Sequence, residues 1–353
     1  MDELYDQDVV LNYTSQKTGG STVNSWYTDM VINDVLKDLM KKGYSKQAAN
    51  LLVYSGGLKI YTCVDPDIQA ILDEVYTNDE YFPEHTSGMP AQSAMVIVDP
   101  KTGDVLGVAG AKGEKKGNRI QNFATDTVRP AGSSIKPVSV YGPALEKGLI
   151  TYATVYDDTP VNFGTSNNKA WPHNLPDVYG GLTNINSAIE RSVNTIAVKV
   201  LEDLTPKESF EFAKYNLGME SLIELLELSN GTRLTDMDYA ALALGQLNYG
   251  VTVREITAAY TAFANQGVFN KAKSYLKVVS ADGETLLSNE DPGNIVMSEE
   301  NAAIMTKMLQ NVVSNGTARS ITLKKTLNCA GKTGTTSNDY DRWFIGYTPY
   351  VIG

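Results

Sequence analysis

Apolar residues recur at helical spacing near the start of the chain and predict an amphipathic helix between residues 24 and 42. The positions expected on its buried face are Trp26, Met30, Val31, Val35, Leu36, Leu39 and Met40. A shorter second helix is expected to begin after Ser45 as its N-cap and to end at Gly56-Gly57. Residues 1 to about 20 are polar and rich in Asp, Ser, Thr and Gly, which is typical of a tail or linker.

A strand and a third helix follow in the same introductory segment. The run from Leu58 to Cys63 is typical of a strand, and Asp65-Pro66 supplies an N-cap and a first-position proline for a helix to about Tyr76. We therefore predict that residues 1–90 form an α-rich linker module and that residues 91–353 form the main domain.

From Gln92 onward the pattern changes to short apolar runs of the strand type. Ala94–Val98 and Val105–Ala109 flank a turn sequence and predict a β-hairpin. The helices expected after it are Asn186–Leu201, Pro206–Leu217, Asp236–Leu247, Thr252–Asn265 and Glu299–Val313, and the late strands are two around the Asp282-Gly283 turn (Tyr275 to Leu287), Leu327–Thr335 and Trp343–Ile352. This order predicts a mixed α+β fold: a mostly antiparallel β-sheet, completed by both ends of the domain and flanked by helices, with an inserted helical lobe.

Composition and charge exclude several functional classes. The chain has 353 residues, is 42% hydrophobic and carries a net charge of -11, which supports a sizeable core and argues against nucleic-acid binding. Its one basic stretch, Lys112–Arg119, is expected to be a solvated loop. Because no apolar run is long enough to cross a membrane and Met1–Val10 is acidic, we expect neither a transmembrane helix nor a secretory signal here.

The two cysteines, Cys63 and Cys329, are too few for a disulfide scaffold or a zinc site. Buried free thiols are expected, with a single long-range disulfide as the alternative. Neither a Cys-x-x-Cys nor a His-Glu-x-x-His spacing occurs, so we expect no metal and no cofactor.

The turn at Arg129–Pro137 carries the strongest candidate chemistry. Proline and Gly132 interrupt the preceding segment, and apolar residues resume at helical spacing after the turn, so a helix is expected to begin near Ser133. Ser133 would then lie at the positive end of the helix dipole, where a developing alkoxide is favoured. Lys136 would lie on the same face, within reach of the hydroxyl.

A serine nucleophile needs a base, and the histidines of this chain are poorly placed to provide one. Only His85 and His173 are present, both in loops with Pro and Gly, which disfavours a Ser-His-Asp triad. A lysine made neutral by desolvation and by a second nearby cation is the other option, and Lys136 fits it. Since a serine at a helix start is more often an N-cap than a nucleophile, Ser133 alone is weak evidence.

Two further motifs follow Ser133-Ser134-Ile135-Lys136 in the order expected of a serine–lysine acyl-transfer site. They are Ser192-Val193-Asn194 and Lys332-Thr333-Gly334-Thr335. Similar short matches occur elsewhere, and their context argues against each. Lys17 lies in the polar tail, Lys101 at a hairpin tip, Ser166 in an Asn-rich loop, and Ser274 in a strand whose alternation would point it away from Lys277.

Together with several intervening stretches, these motifs resemble the transpeptidase domain of class A penicillin-binding proteins, in the penicillin-binding protein and serine β-lactamase superfamily. The resemblance extends over roughly residues 57–353. The stretches that carry it are Gly57–Pro66, Ile97–Gly103, Arg129–Ser133, Ala259–Gly267, Gly331–Thr335 and Asp341–Thr348.

The resemblance implies an acyl-enzyme mechanism on peptidoglycan stem peptides. Ser133 would attack the carbonyl of the penultimate D-Ala, and Lys136 would take its proton. Ser192 would relay that proton to the leaving D-Ala nitrogen, with Lys332 close by. An amine from a neighbouring stem peptide would then resolve the acyl-enzyme and form a cross-link, and β-lactams would mimic the D-Ala-D-Ala end and acylate Ser133.

The remaining motif residues would bind the donor peptide. The resemblance implies that Asn194 hydrogen-bonds Lys136 and the donor backbone, and that the hydroxyls of Thr333 and Thr335 hold the terminal carboxylate. The backbone N–H groups of Ser133 and Thr335 would form an oxyanion hole. Gly334, lacking a side chain, would let the donor lie along the strand edge as an added strand.

Two departures from the family pattern point to a fragment of a longer protein. The glycosyltransferase domain and membrane anchor that precede this region in class A proteins are not in the chain. The chain also stops at Gly353, where the family continues into another strand and a helix, which predicts an unpaired sheet edge. The resemblance implies the extracytoplasmic face of the bacterial membrane, reached only through a segment outside this chain.

The same site residues are also compatible with other functions. Water instead of an amine would make the protein a D,D-carboxypeptidase or a serine β-lactamase, although Val193 replaces the Asp of the β-lactamase triplet and no Glu is convincingly placed to activate water. A non-catalytic β-lactam sensor or wall-binding module is the third alternative, and the intact motifs argue against it.

Overall fold

The computed structural model describes residues 23–83, 91–163 and 169–353. The helices predicted in the introductory segment are confirmed, and the second and third have the N-caps that were expected. Helix α1 spans Trp26–Lys41, and the N-cap Ser25 accepts a hydrogen bond from the Thr28 amide. Ser45 caps α2 (Lys46–Ser55) and Asp65 caps α3 (Pro66–Thr77), with proline at the first position of α3.

Helices outnumber strands in the middle of the chain. The later ones are α4 (Gly142–Glu146), α5 (Ile185–Arg191), α6 (Asn194–Leu204), α7 (Pro206–Glu211), α8 (Tyr239–Leu244), α9 (Val253–Ala259), α10 (Thr261–Ala264) and α11 (Glu299–Ser314). The strands are β1 (Lys59–Thr62), β2 (Met95–Val98), β3 (Val105–Ala109), β4 (Val155–Asp158), β5 (Gly181–Asn184), β6 (Leu226–Glu227), β7 (Arg233–Leu234), β8 (Val268–Phe269), β9 (Tyr275–Val279), β10 (Thr285–Ser288), β11 (Asn294–Ile295), β12 (Ala330–Thr335) and β13 (Arg342–Tyr347).

The strands pair as short antiparallel sheets, and the sheet that matters most joins the two ends of the main domain. The β2–β3 and β12–β13 hairpins are linked through Ile352, which bridges Val98 on one side and Tyr347 on the other. The predicted mixed α+β fold, with an antiparallel sheet completed by both ends, is therefore confirmed. A second antiparallel sheet has the order β1-β9-β10.

Some predicted helices are interrupted. The helix expected over Asn186–Leu201 is two helices, because Ser192 adopts the left-handed conformation (φ 60°) and ends α5 before α6 begins. The one expected over Thr252–Asn265 likewise divides into α9 and α10 at Tyr260. Apolar spacing predicted most of the buried positions, but it was wrong for Met40, which is exposed in the last turn of α1, and it carries no signal for a break that long-range contacts stabilise.

One continuous hydrophobic core runs from α1 to β13. Val35 and Leu39 of α1 belong to the same buried cluster as Val198 of α6 and Leu309 of α11. The boundary between residues 90 and 91 stays a prediction. Among the described residues, no helix is long and apolar enough to cross a membrane, and no cluster of His, Cys, Asp and Glu is suited to a metal ion. No disulfide joins Cys63, which is buried, to Cys329, which is half-buried.

The basic segment Lys112–Arg119 is a loop with Lys116 and Arg119 exposed, as expected, but its Lys115 is not solvated. The Lys115 ammonium is buried against α1, where it lies 2.6 Å from Asp29 Oδ2 and also donates to the carbonyls of Asn24 and Gly117. The Arg119 backbone N–H donates to the same carboxylate oxygen. The prediction failed for Lys115 because Asp29 lies 86 residues away in the sequence, and charge composition alone does not show that pairing.

Replacing Lys115 with alanine is expected to lower the free energy of unfolding by about 3 kcal/mol, because the buried Asp29 carboxylate would lose its cation. Lys116→Ala, at the exposed neighbouring lysine, should change it by less than about 0.5 kcal/mol. Urea denaturation of both variants measures the difference. Equal stabilities would show that the Lys115–Asp29 pair does not hold the loop to α1.

Candidate active site

Ser133 lies in a tight turn that is held in place from several sides. Residues Gly132–Ile135 form a 3₁₀ turn, followed by a π-helical turn over Pro137–Tyr141 and then by α4. The regular α-helix expected from Ser133 onward is therefore wrong in detail. Proline has no N–H to donate backward, and the chain widens after it, so that the Gly142 amide donates to the Pro137 carbonyl.

Neighbouring elements fix this turn through its carbonyl groups. The Tyr260 hydroxyl donates to Ser134 O at 2.6 Å, and the Trp343 indole donates to Pro130 O at 2.9 Å. Ser133 itself is half-buried, and among the described residues its hydroxyl has no hydrogen-bond partner. The turn is thus rigid while its serine Oγ remains available, as a preorganised nucleophile requires.

Strand β12 packs directly against this turn, and Gly334 makes that contact possible. A Cβ at Gly334 would lie 2.4 Å from Ala131 O and 3.0 Å from the Ser134 backbone nitrogen. Its missing side chain therefore admits the Ser133 turn, a reason for the glycine that the sequence did not indicate. That it also lets a donor peptide lie along the strand edge stays a prediction.

Gly334→Ala is expected to push β12 away from the turn, lower the free energy of unfolding by about 2 kcal/mol and slow β-lactam acylation at least tenfold. Gly117→Ala is the control, because its Cβ would meet only the exposed Ile120 side chain, at 3.2 Å. Stopped-flow acylation and urea denaturation measure the two effects. Unchanged acylation in Gly334→Ala would show that close packing of β12 on the turn is unnecessary.

Lys136 is fully buried, and its amine faces the Ser192–Asn194 segment. It donates to Asn194 Oδ1 at 2.7 Å and to Ser192 O at 2.9 Å, with a longer contact of 3.4 Å to Val193 O. The contact with Asn194 is the one implied by the sequence. Among the described contacts, Lys136 makes no hydrogen bond to the Ser133 hydroxyl. In this conformation its amine is hydrogen-bonded to the Ser192–Asn194 segment instead.

The third motif meets the second through Lys332. Its buried ammonium donates to Ser192 Oγ at 2.9 Å and to Thr333 O at 3.0 Å. Ser192 is presented by its left-handed backbone between α5 and α6, a conformation that is strained for a residue with a side chain. Strain of this kind is concentrated at functional sites.

The pKa values of both buried lysines are lowered, which favours their neutral state. Burial lowers the pKa of Lys136 well below its ordinary value, and the positive charge of Lys332 lowers it further. Burial also lowers the pKa of Lys332, to about 7. Near neutral pH the pair therefore favours a neutral Lys136, which can accept a proton.

The motifs line one cleft of about 920 Å³. Its walls include Ser133, Ser192, Asn194, Thr333 and Thr335. The hydroxyls of Thr333 and Thr317 are 2.7 Å apart on one wall. A second cavity of about 750 Å³ lies beside α1 and contains none of the motif residues.

The alternative motif matches lie elsewhere. Ser274 is buried, and its hydroxyl donates a hydrogen bond to Asp34 Oδ2 at 2.5 Å. Lys277 is exposed, with its ammonium 4.9 Å from the centre of the Tyr61 ring. The two side chains therefore point to opposite faces, as predicted. Lys101 is exposed at the hairpin tip. Lys17, Ser166 and His85 lie outside the described residues. The His173 ring is exposed near Asp177.

Sequence reasoning missed two residues directly behind the second motif. Asn174 Oδ1 accepts from the backbone N–H of Asn194 at 2.9 Å, and the buried carboxylate of Asp158 accepts from Asn174 Nδ2 at 2.7 Å. Both lie in segments without a recognisable chemical spacing, and an Asn in a Pro-containing loop is ordinarily a turn residue.

Comparisons with known proteins point to a single family. The family model described as the penicillin binding protein transpeptidase domain matches residues 93–351. A penicillin-binding protein 1A of Clostridium botulinum (strain Hall) is 33% identical over 337 residues, which covers 92% of this chain and 39% of the relative. Penicillin-binding protein 2a of Streptococcus pneumoniae serotype 2 is 31% identical, over 92% of this chain and 42% of the relative. The chain thus spans about two fifths of the length of these relatives.

Solved structures share the fold. PonA1 of Mycobacterium tuberculosis in complex with penicillin V superposes with a TM-score of 0.72 at 23% identity, over 92% of this chain and 82% of that one. Penicillin-binding protein 1A of Haemophilus influenzae gives a TM-score of 0.68 at 17% identity, over 90% and 64%. Since the family model matches well over half of the residues, this chain belongs to the penicillin-binding protein transpeptidase family.

Proposed function

We propose that this chain is the D,D-transpeptidase part of an enzyme that cross-links peptidoglycan stem peptides through a Ser133 acyl-enzyme. One observation carries the proposal. Two buried lysines converge on the Ser192–Asn194 segment in the cleft that Ser133 lines, Lys332 on Ser192 Oγ and Lys136 on Asn194 Oδ1. This arrangement provides a base, a hydroxyl relay and a nucleophile without a histidine or a metal ligand.

Lys136 becomes a base when it loses one proton. A neutral amine has two N–H donors and one lone pair, so it can keep its two short bonds, to Asn194 Oδ1 and Ser192 O, and give up the long contact to Val193 O. The freed lone pair can then turn toward the Ser133 hydroxyl. Apo structures often lack the hydrogen bond that forms in the substrate complex.

Acylation follows from this base. Ser133 Oγ attacks the carbonyl carbon of the penultimate D-Ala while Lys136 takes the hydroxyl proton. In the tetrahedral intermediate the backbone N–H groups of Ser133 and Thr335 would stabilise the oxyanion. The intermediate collapses by breaking the amide bond. Ser192 passes a proton to the leaving D-Ala nitrogen and is reprotonated from the Lys136 side, while Lys332 stabilises its oxygen.

Binding of the donor would use the remaining motif residues. Thr333 and Thr335 present hydroxyls to the terminal carboxylate, and the Asn194 side chain lies beside the donor backbone. A β-lactam presents the same carboxylate and a strained amide, so it would leave Ser133 acylated. We infer that this activity takes place on the extracytoplasmic face of the membrane, where peptidoglycan is cross-linked.

The fate of the acyl-enzyme separates the candidate activities. A peptide ending in D-Ala-D-Ala, incubated with and without an acceptor amine, should release D-Ala and form a new amide product when the amine is present. Product analysis by mass spectrometry reads both outcomes. Hydrolysis product alone in both incubations would make the protein a D,D-carboxypeptidase, and no D-Ala release by a folded, penicillin-reactive chain would indicate a sensor.

A further inference from the structure

The base of the site is connected to a buried carboxylate by a continuous set of hydrogen bonds. Asp158, at the end of β4, is fully buried and accepts from Asn174 Nδ2 (2.7 Å), Thr195 Oγ1 (2.6 Å) and the Gly180 amide (2.8 Å). Among the described residues no Lys or Arg lies within ion-pair distance of it. A buried carboxylate without a cation is costly, so three converging donors mark a site that the fold holds in one arrangement.

These bonds determine how the Asn174 amide is oriented. Its Nδ2 group faces Asp158 and also donates to Val178 O at 3.0 Å, so its oxygen must face the other way. That oxygen accepts from the backbone N–H groups of Asn194 and Thr195, at 2.9 and 3.3 Å.

Asn174 thereby caps helix α6 from 20 residues away. The N-cap position of α6 is Val193, whose side chain cannot accept a hydrogen bond. The first N–H groups of a helix have no partner within it, and the Asn174 oxygen fills that need. The Asp158 carboxylate lies behind it, where the positive end of the helix dipole favours a negative charge.

The same loop also holds the Asn194 side chain. Asn194 Nδ2 donates to the His173 carbonyl at 2.7 Å, next to Asn174 in the chain, while Asn194 Oδ1 accepts from Lys136 at 2.7 Å. If the loop moved, the Asn194 amide could rotate and offer Lys136 an N–H instead of an oxygen.

We propose that Asp158 and Asn174 are positioning residues for the reaction: they fix the start of α6 so that Asn194 holds the Lys136 amine in place through its side-chain oxygen. Neither touches the substrate. Asp158 orients Asn174, and Asn174 orients Asn194. This inference rests on the proposed function, because it is Lys136 acting as a base that gives the arrangement its consequence.

The first test is Asn174→Ala, with the rate constant of penicillin acylation measured across pH. We expect at least a tenfold loss and a shift in the pH at which the rate rises, because Lys136 would lose its fixed partner. Asn270→Ala is the matched control, since Asn270 is also buried and also donates to a backbone carbonyl, Pro100 O, but lies away from the cleft. A purely structural role would lower stability in both variants and leave both pH profiles unchanged.

The second test exchanges the two side chains. Asp158→Asn alone places two amides together, and Asn174→Asp alone places two carboxylates together, so each should slow acylation at least tenfold. The double variant restores one amide–carboxylate contact with its polarity reversed and should recover at least threefold over either single variant. No recovery, together with an unshifted pH profile in Asn174→Ala, would overturn the proposal. A wild-type chain that does not react with penicillin would instead refute the proposed function.

Discussion

Replacing Ser133 with alanine is expected to abolish covalent capture of penicillin, whereas the wild-type chain gains the mass of one penicillin molecule. The variant removes the hydroxyl oxygen that forms the ester in the proposed mechanism, and neither buried lysine is expected to replace it. Stability should hardly change, because the half-buried hydroxyl has no hydrogen bond among the described contacts. Intact-mass spectrometry after penicillin treatment measures the adduct, and thermal unfolding verifies the fold.

The matched control is Ser274→Ala, since Ser274-Tyr275-Leu276-Lys277 has the same serine–lysine spacing. Ser274 is buried against Asp34 and its lysine points to the opposite face, so this variant should still take up one penicillin. An adduct on Ser133→Ala that matches wild type would remove Ser133 from the mechanism.

The second large effect on acylation is expected when Lys136, the proposed general base, is replaced. Lys136→Met should lower the acylation rate constant by about 10²–10⁴, the usual contribution of general base catalysis. Methionine fills a similar volume without a lone pair that accepts the proton, so the loss reports chemistry rather than a cavity. Lys277→Met, at the exposed lysine of the decoy sequence, should leave the rate unchanged.

The pH dependence gives the sign of this effect. Only neutral Lys136 accepts a proton, so the wild-type rate should rise with pH through the lowered pKa of Lys136 and be complete well below pH 10.5. Above about pH 7 Lys332 loses its proton, and the rate should fall as Ser192 loses a charged partner. A plot of the stopped-flow acylation rate against pH should therefore be bell-shaped, and the plot for Lys136→Met should lack the rising limb. A rising limb that persists in Lys136→Met would assign it to another group.

Much of the site could be predicted from the sequence because its chemistry is carried by short motifs in a fixed order. Ser192, Asn194, Lys136 and Lys332 come together as that order implied. Periodicity likewise predicted the capped helices and the hairpins, since these depend on neighbouring residues. The domain boundary and the role of each motif residue stay predictions.

Features that depend on distant contacts were not predictable in the same way. Gly334 has no room for a side chain because it packs against Ala131, some 200 residues earlier. Lys115 is buried because it pairs with Asp29. Asn174 acts at the start of a helix whose own cap position holds an apolar residue. No local pattern shows such a pairing, because the energy of each arises only after the chain has folded.

The most direct test of the central claim is to locate the penicillin on the wild-type chain by peptide mapping and tandem mass spectrometry. The account predicts that the added mass resides on Ser133 alone, with one penicillin per chain. An adduct on Ser192 or on a residue outside the cleft, with Ser133 unmodified, would contradict it.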